Sequence, residues 1–308
     1  MKKQAPLTIY ILCYNRPDFA KQSILSVLGQ TCQEFNLIVS DHSSNDGVTE
    51  MVGKNFPDVT YIRRSPSLKH LEHFNLCIDE VESDYYCLFH DDDVMASNFV
   101  ETMLKFIHDH PNGAAYASNA YIETGGKIEK RLAFLSHKKY ELFDSPKILA
   151  ARYFSRNQSG IAPNPSYIYS SRIAGEQRFI VDGGKYADVS LLLDIAQQGL
   201  IIWLNKPLMT YRMHGSNLGS VESLPDRLRF LAYLKKFKKI LGKEVLHDYR
   251  SSFIYKRLLR NNAKGMSRRF STAKSYLKNY HCYHYTRLST YKILMLRVLN
   301  KWGSHDLR

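Results

Sequence analysis

The chain has 308 residues, 44% of them hydrophobic and 23% charged, with 16 glycines and 10 prolines. That balance suits a folded chain whose core needs no disulfide or metal staple, and it excludes collagen-like and low-complexity architectures. The formal charge of +14 is unevenly placed: residues 221–308 carry 21 Lys and Arg against 5 Asp and Glu, residues 1–220 carry 22 against 24, so two parts, 1–220 and 221–308, are expected.

The first apolar run, Leu7–Cys13, is bounded by Pro6 and Asn15 and lacks a small-residue cleavage site, so it reads as a strand rather than a signal peptide. Residues 16–28 follow with helical spacing of Phe19, Ile24, Val27 and Leu28, with Asn15 as the expected N-cap and Pro17 in the first turn. Residues 35–40 read as a second strand and the polar run from Asp41 to Gly47 as the loop at its carboxyl end. A third strand over 59–62, a helix over 68–81, a fourth strand over Tyr85–His90 and a helix over 98–110 complete a βα alternation that predicts a parallel sheet. Beyond it, strand-like pieces at 114–123 and 166–171 suggest a mixed half. A helix over 186–198 is stopped by Gly199, two strands cover 200–204 and 208–213, and two to four basic helices are expected from Ser223 on. No apolar run approaches the roughly 18 residues of a membrane span. Five cysteines without a C-x-x-C pair suggest neither a disulfide framework nor a zinc site, and fit a reducing cytoplasm.

Ligands of open α/β sheets bind beyond the carboxyl ends of the strands, and here those ends carry Tyr14 and Asn15, Asp41, and the triplet Asp91, Asp92, Asp93. Three adjacent carboxylates repel one another unless a cation offsets them, and oxygen ligands suit Mg²⁺ or Mn²⁺. A solvated acidic turn is the plain alternative, but the apolar Tyr86-Cys87-Leu88-Phe89 in front of the acids makes them site-like.

The Cys-Tyr-Asn-Arg-Pro opening, the run from Ser26 to Thr31, Ile38 to Asp41 with Asn45-Asp46-Gly47, Asn75, the acidic triplet, Ala187-Asp188, and Arg212-Met213-His214-Gly215-Ser216-Asn217 resemble, in this order, family-2 inverting glycosyltransferases of the GT-A fold. The resemblance covers roughly residues 6–220. It implies a Rossmann-like nucleotide-binding sheet merged with a smaller mixed-sheet acceptor half, followed by a helical C-terminal segment. It further implies that Tyr14, Asn15 and Asp41 hold the nucleobase and ribose of a nucleotide-sugar donor, with Asp91 near the ribose. Asp92, Asp93 and His214 would be metal ligands for Mn²⁺ or Mg²⁺. Arg212 would contact phosphate or hold its loop, and Lys69 lies near where some relatives carry a diphosphate-binding cation. Asp188, at a helix start, would be the catalytic base; by itself it is equally an ordinary first-turn Asp favoured by the helix dipole. His90, His42 and Leu12 depart from the commoner family pattern, which bears on nucleotide preference more than on fold.

The implied activity is transfer of a sugar from a nucleotide diphosphate, UDP favoured, to a saccharide or lipid-linked acceptor in lipopolysaccharide or capsule assembly. Residues 230–241 have an apolar side and a Lys-rich side, which fits either a helix on an anionic membrane surface at the inner face or a helix packed on the catalytic part. An inactive scaffold and a nucleic-acid-binding protein acting through the basic tail are the rival classes. The intact acids argue against the first, and the lack of a nucleic-acid motif against the second, so no nucleic-acid partner is expected.

Overall fold

The computed structural model describes residues 5–154, 160–215, 224–246 and 249. Its strands are β1 (Leu7–Cys13), β2 (Phe35–Asp41), β3 (Thr60–Arg63), β4 (Tyr85–His90), β5 (Val94–Met95), β6 (Gly113–Thr124), β7 (Lys127–Leu132), β8 (Tyr140–Phe143), β9 (Tyr167–Ser170) and β10 (Leu200–Met213). The helices are α1 (Pro17–Leu28), α2 (Gly47–Asn55), α3 (His70–Asp79), α4 (Phe99–Asp109), α5 (Pro146–Phe154), α6 (Ser171–Ala174), α7 (Ala187–Gln198) and α8 (Leu224–Lys236). One sheet runs in the order β3-β2-β1-β4-β9-β6-β10-β5, with β7 added to β6 and β8 to β10.

Its first half is parallel and its second half mixed, as the change of pattern after residue 110 predicts. β1 pairs in parallel with both β2 and β4, and β2 with β3. β9 then runs antiparallel between β4 and β6, and β6 pairs in parallel with β10. Every residue of β1 is buried, the fate of a central parallel strand covered on both faces. Ile9, Ile11, Val39, Cys87 and Phe89 join Ile24 and Val27 of α1 and Val100 and Met103 of α4 in one core cluster.

Several elements differ from expectation. Gly47–Asn55 form α2, which was not expected, because Val48 and Val52, four apart, bury one face with Met51 beside them; Thr49, Glu50 and Gly53 obscure that period. Asn15 does not cap α1: Arg16 precedes the helix, and Asn15 sits one residue further out with φ at +55°. The two strands expected over 200–213 are one. β10 runs through Pro207 with register shifts on both sides of it against β6, so the proline is absorbed as an irregularity and the strand continues. β5, β7 and β8 are too short or too polar to carry a periodic signal.

Gln30, at the end of α1, shows how a buried polar side chain ties this half together. Its amide donates to the carbonyls of Ser26 (3.0 Å) and Ala96 (2.7 Å), while its oxygen accepts from the amide of Val100 at 2.9 Å. The helix end and the start of α4 are thus fixed to each other through one residue.

The chain divides into two compact units, residues 1–149 with 160–233, and residues 150–159 with 234–308. In the first, Phe230 of α8 is buried and stacks on Tyr186 at 4.9 Å, and Tyr233 donates to the carbonyl of Ser190 at 3.0 Å. Residues 230–233 of the 230–241 stretch therefore pack within the first unit, while Lys235, Lys236, Lys238 and Lys239, in the second, are exposed. In the second unit, Phe154 meets Tyr249 edge to face at 4.9 Å. After a turn at Phe237, helix also covers residues 238–246, and any further helices expected from the basic segment lie outside the described residues. No helix among those described is long and apolar enough to cross a membrane.

Candidate active site

Strand register assembles the site. Cys13 of β1 pairs with Asp41 of β2, and Leu12 with His90 of β4, so the three strands end level. Tyr14 and Asn15, Asp41, and the acids 91–93 consequently leave the sheet along one edge. The backbone amide of Tyr14 donates to Asp91 Oδ2 at 2.9 Å, which fastens the first of these ends to the third. The amide of Asn15 donates to Ser43 Oγ at 2.7 Å, fastening the first to the second. The left-handed backbone of Asn15 is held by its own side chain, whose oxygen accepts from the Ser44 amide at 2.9 Å and whose nitrogen donates to Ser44 Oγ at 2.9 Å.

Asp41 is fully buried and its oxygens are engaged on both sides. Oδ1 accepts from the amide of Ser43 at 2.8 Å and from its hydroxyl. Oδ2 accepts from the Tyr61 hydroxyl at 2.7 Å and from Arg63 Nη1 at 2.6 Å. An ionised carboxylate offers about four acceptor positions, and these four donors fill them. Asp41 therefore braces the β2–β3 edge, and a ligand would reach it only by exchanging one of these partners. The accessible surface beside it is aromatic: Tyr14 is 45% exposed, with its ring 4.7 Å from that of His42, which in turn lies 4.3 Å from buried His73. Burial pushes the imidazoles of His42, His70 and His73 down, His70 to about 4 and His73 to about 2, so this stack is neutral near pH 7.

The acidic triplet is held by cations and backbone. Arg16 forks across two of its members, Nη2 to Asp91 Oδ1 at 2.5 Å and Nη1 to Asp92 Oδ2 at 2.6 Å. His214 Nε2 lies 3.0 Å from the same Asp92 oxygen, and the Arg212 amide donates to Asp93 Oδ1 at 2.9 Å. Burial raises the carboxyl of Asp91 to about 7 in spite of Arg16. Burial also pushes Asp92 upward, but His90, Arg16 and His214 outweigh it and hold this carboxyl below its ordinary range. Asp93 is raised by burial and by its neighbour Asp92. Its Oδ2 is buried and takes no hydrogen bond. Donor atoms of His90, Asp92 and Asp93 lie within 4.8 Å of one another, so two carboxylates, one with an orphaned buried oxygen, and an imidazole form a donor set that fits a divalent cation.

The segment after β10 is seated on α1. The ring of Phe19 stacks with that of His214 at 5.0 Å and lies 5.6 Å from the guanidinium of Arg212, and Arg212 Nη2 donates to Gln22 at 2.6 Å. Asp188 stands in the first turn of α7, where hydrogen bonds from the amide of Val189 and from its own amide help hold the carboxylate; burial nevertheless raises it to about 6. The phenol of half-buried Tyr211 is pushed up first by burial and then by the charges of Asp93, Asp92 and Asp188.

Most of the residues expected to form the site are thus gathered at one sheet edge. Lys69 is not: it is exposed at the start of α3 and pairs with Glu72 at 3.7 Å. Asn75 serves the scaffold, exchanging two hydrogen bonds of 2.9 and 2.8 Å with the backbone of Phe179. The site roles of Arg16, Phe19, Tyr61, Arg63 and Tyr211, and the place of His90 beside Asp92 and Asp93, went unread in the sequence. Only Arg16 had a local signal, a cation directly after a polar strand end in a chain with three clustered acids.

The comparisons agree with this geometry. The chain is 24% identical over 220 residues to an uncharacterized glycosyltransferase of Rickettsia bellii, covering 70% of this chain and 30% of that protein. It is 21% identical over 229 residues to an uncharacterized glycosyltransferase of Haemophilus influenzae, covering 71% and 69%. Among solved structures, S. aureus TarS 1-349 aligns with a TM-score of 0.62 at 13% identity, over 87% of this chain and 78% of that one. The mannosyltransferase PcManGT of Pyrobaculum calidifontis, in complex with GDP-Man and Mn²⁺, aligns with a TM-score of 0.52 at 15% identity, over 98% and 88%. The fold is accordingly GT-A-like. With the family model for glycosyl transferase family 2 matching residues 8–169, more than half of its length, the chain belongs to that family.

Proposed function

We propose that the chain catalyses inverting transfer of one sugar from a nucleotide-diphosphate donor, a UDP-sugar by preference, to a hydroxyl of a saccharide or lipid-linked acceptor, as in lipopolysaccharide or capsule assembly. The observation that carries this is the level ending of β1, β2 and β4, which sets an aromatic platform beside an acidic donor set. TarS 1-349 in complex with UDP-GlcNAc, TM-score 0.60, supports the donor class. The 27% identity over 103 residues to a teichoic acid poly(glycerol phosphate) polymerase of Staphylococcus epidermidis, 32% of this chain and 14% of that protein, supports a surface-polymer setting.

Each group has a task. Tyr14 over His42 offers a face for the base, Asn15 and Asp91 border the ribose, and Asp41 keeps Tyr61 and Arg63 in the wall beside them. Asp92 and Asp93, with His90 and His214 adjoining, would hold Mn²⁺ or Mg²⁺, the imidazoles favouring Mn²⁺. Such an ion, when bound, supplies positive charge that stabilises a leaving diphosphate. Arg212 orients the His214 segment through Phe19 and Gln22. Asp188 takes the proton of the acceptor hydroxyl as that oxygen bonds to the anomeric carbon, and the anomeric carbon–oxygen bond breaks with its electron pair passing to the diphosphate.

Calorimetry with UDP, GDP, CDP and dTDP, with and without Mn²⁺, tests the donor site. One nucleotide binding more tightly with metal is expected; no binding of any of the four to folded protein would refute the proposal. The exposed lysines of residues 235–239 support a further reading, attachment to an anionic membrane surface at the inner face. Pelleting with anionic vesicles at low salt and release at high salt are expected, and salt-insensitive or absent pelleting overturns it.

A further inference from the structure

We infer that Arg16 is a built-in counter-cation which makes the divalent ion and the nucleoside diphosphate depend on each other for binding. The inference rests on the donor-site reading above. It is carried by a shared carboxylate: Asp92 accepts from Arg16 Nη1 through Oδ2 at 2.6 Å, and the same residue belongs to the His90, Asp92, Asp93 donor set. Asp91 and Asp92 are almost fully buried, whereas the Arg16 side chain remains 27% exposed. Without another cation, the guanidinium offsets the two carboxylates, whose mutual repulsion would otherwise be costly at this depth.

A divalent ion arriving alone meets a site whose central carboxylate is already paired and whose neighbour is a fixed positive charge. It must displace Arg16 from Asp92 or share the carboxylate with it, and both oppose binding. A diphosphate reverses the balance. Its oxygens accept from the released guanidinium in the same planar fork geometry that now grips the carboxylates, so the ion keeps Asp92 while Arg16 exchanges carboxylate for phosphate. A second feature prepares Arg16 for this exchange: its Nε is buried, and among the described residues only the two acids hold the guanidinium. Asp93 Oδ2, buried and without a hydrogen bond, marks where the donor set lacks a partner while Arg16 occupies Asp92. By linkage, diphosphate tightens the ion by the same factor by which the ion tightens diphosphate.

The test is titration of the full chain with Mn²⁺ alone, read by the electron paramagnetic resonance of free Mn²⁺, and then with UDP present. Arg16→Gln removes the charge and is expected to bind Mn²⁺ alone about tenfold more tightly than the wild type, with a smaller enhancement by UDP. Arg16→Lys keeps the charge without the fork and is expected to lie between the two. Unchanged or weaker binding of Mn²⁺ alone to Arg16→Gln overturns the inference, while the donor reading stands as long as the wild type binds UDP with Mn²⁺. Failure of that wild-type binding instead removes the donor reading. Should Arg16→Gln not fold, the Lys variant decides alone: intermediate metal affinity supports the inference and wild-type affinity refutes it.

Discussion

Asp188→Asn is expected to lower kcat by about a thousandfold, near 4 kcal/mol of transition-state stabilisation, while UDP binding stays within about twofold of the wild type. The substitution keeps size and hydrogen-bonding capacity in the first turn of α7 and removes only the ability to accept a proton. The wild-type pH profile supplies an independent readout. Burial raises Asp188 to about 6, and a base works only when deprotonated, so kcat should fall as pH drops through about 6. An unperturbed Asp would hold activity down to about 4. The acid limb at 6 should vanish in the Asn variant, leaving a low and flat residual rate. A variant retaining more than a tenth of the wild-type kcat would remove Asp188 from the base role.

Asp92→Asn is expected to reduce kcat/KM by roughly a hundredfold or more and to abolish the effect of metal on UDP affinity. This carboxylate is where Arg16, His214 and the candidate metal set converge, so one substitution disturbs all three. Removing metal from the wild type with a chelator should produce a loss of similar size, and the chelator should add little to the variant, because both remove one interaction. Activity of the wild type that survives exhaustive chelation would eliminate metal from the reaction. Asp91→Asn makes a useful contrast. Asp91 is occupied by the Tyr14 amide and Arg16 and stands outside the metal-competent group, so its loss should weaken nucleotide binding and leave the metal response in place.

Legibility in the sequence followed how locally each feature was encoded. β1 and β4 were read to the residue because central strands need unbroken apolar runs, and α7 because Gly199 follows its last turn. α2 was lost because a nine-residue amphipathic helix interrupted by Gly53 shows only three apolar positions, Val48, Met51 and Val52, toward the core. The continuity of β10 was hidden by Pro207, which ends most strands; here neighbouring strands on both sides supply enough pairing to carry it through. In the site, the acids were legible because like charges at a strand end demand a partner, but the partner was not. Arg16 reaches acids 75 and 76 residues away, and Phe19 meets His214 across almost 200 residues, contacts that only the closed sheet creates. Asp41 shows the opposite case, a residue whose position was foreseen and whose saturation by Ser43, Tyr61 and Arg63 was not.

The level strand ends also constrain how such a site can diverge. Side chains alternate between the two faces of a strand, so one residue inserted within β1, β2 or β4 would move every later side chain to the opposite face and carry the acids away from Tyr14. Gradual change by insertion or deletion is therefore closed to the donor edge. What remains open is replacement at fixed addresses, such as those of His42, directly after β2, and His90, the last residue of β4, where a side chain can change without disturbing the ladder. The second half of the sheet is under looser rule. β10 already absorbs shifts of register on either side of Pro207, so the surface that would meet an acceptor can be lengthened or reshaped while the donor edge keeps its count.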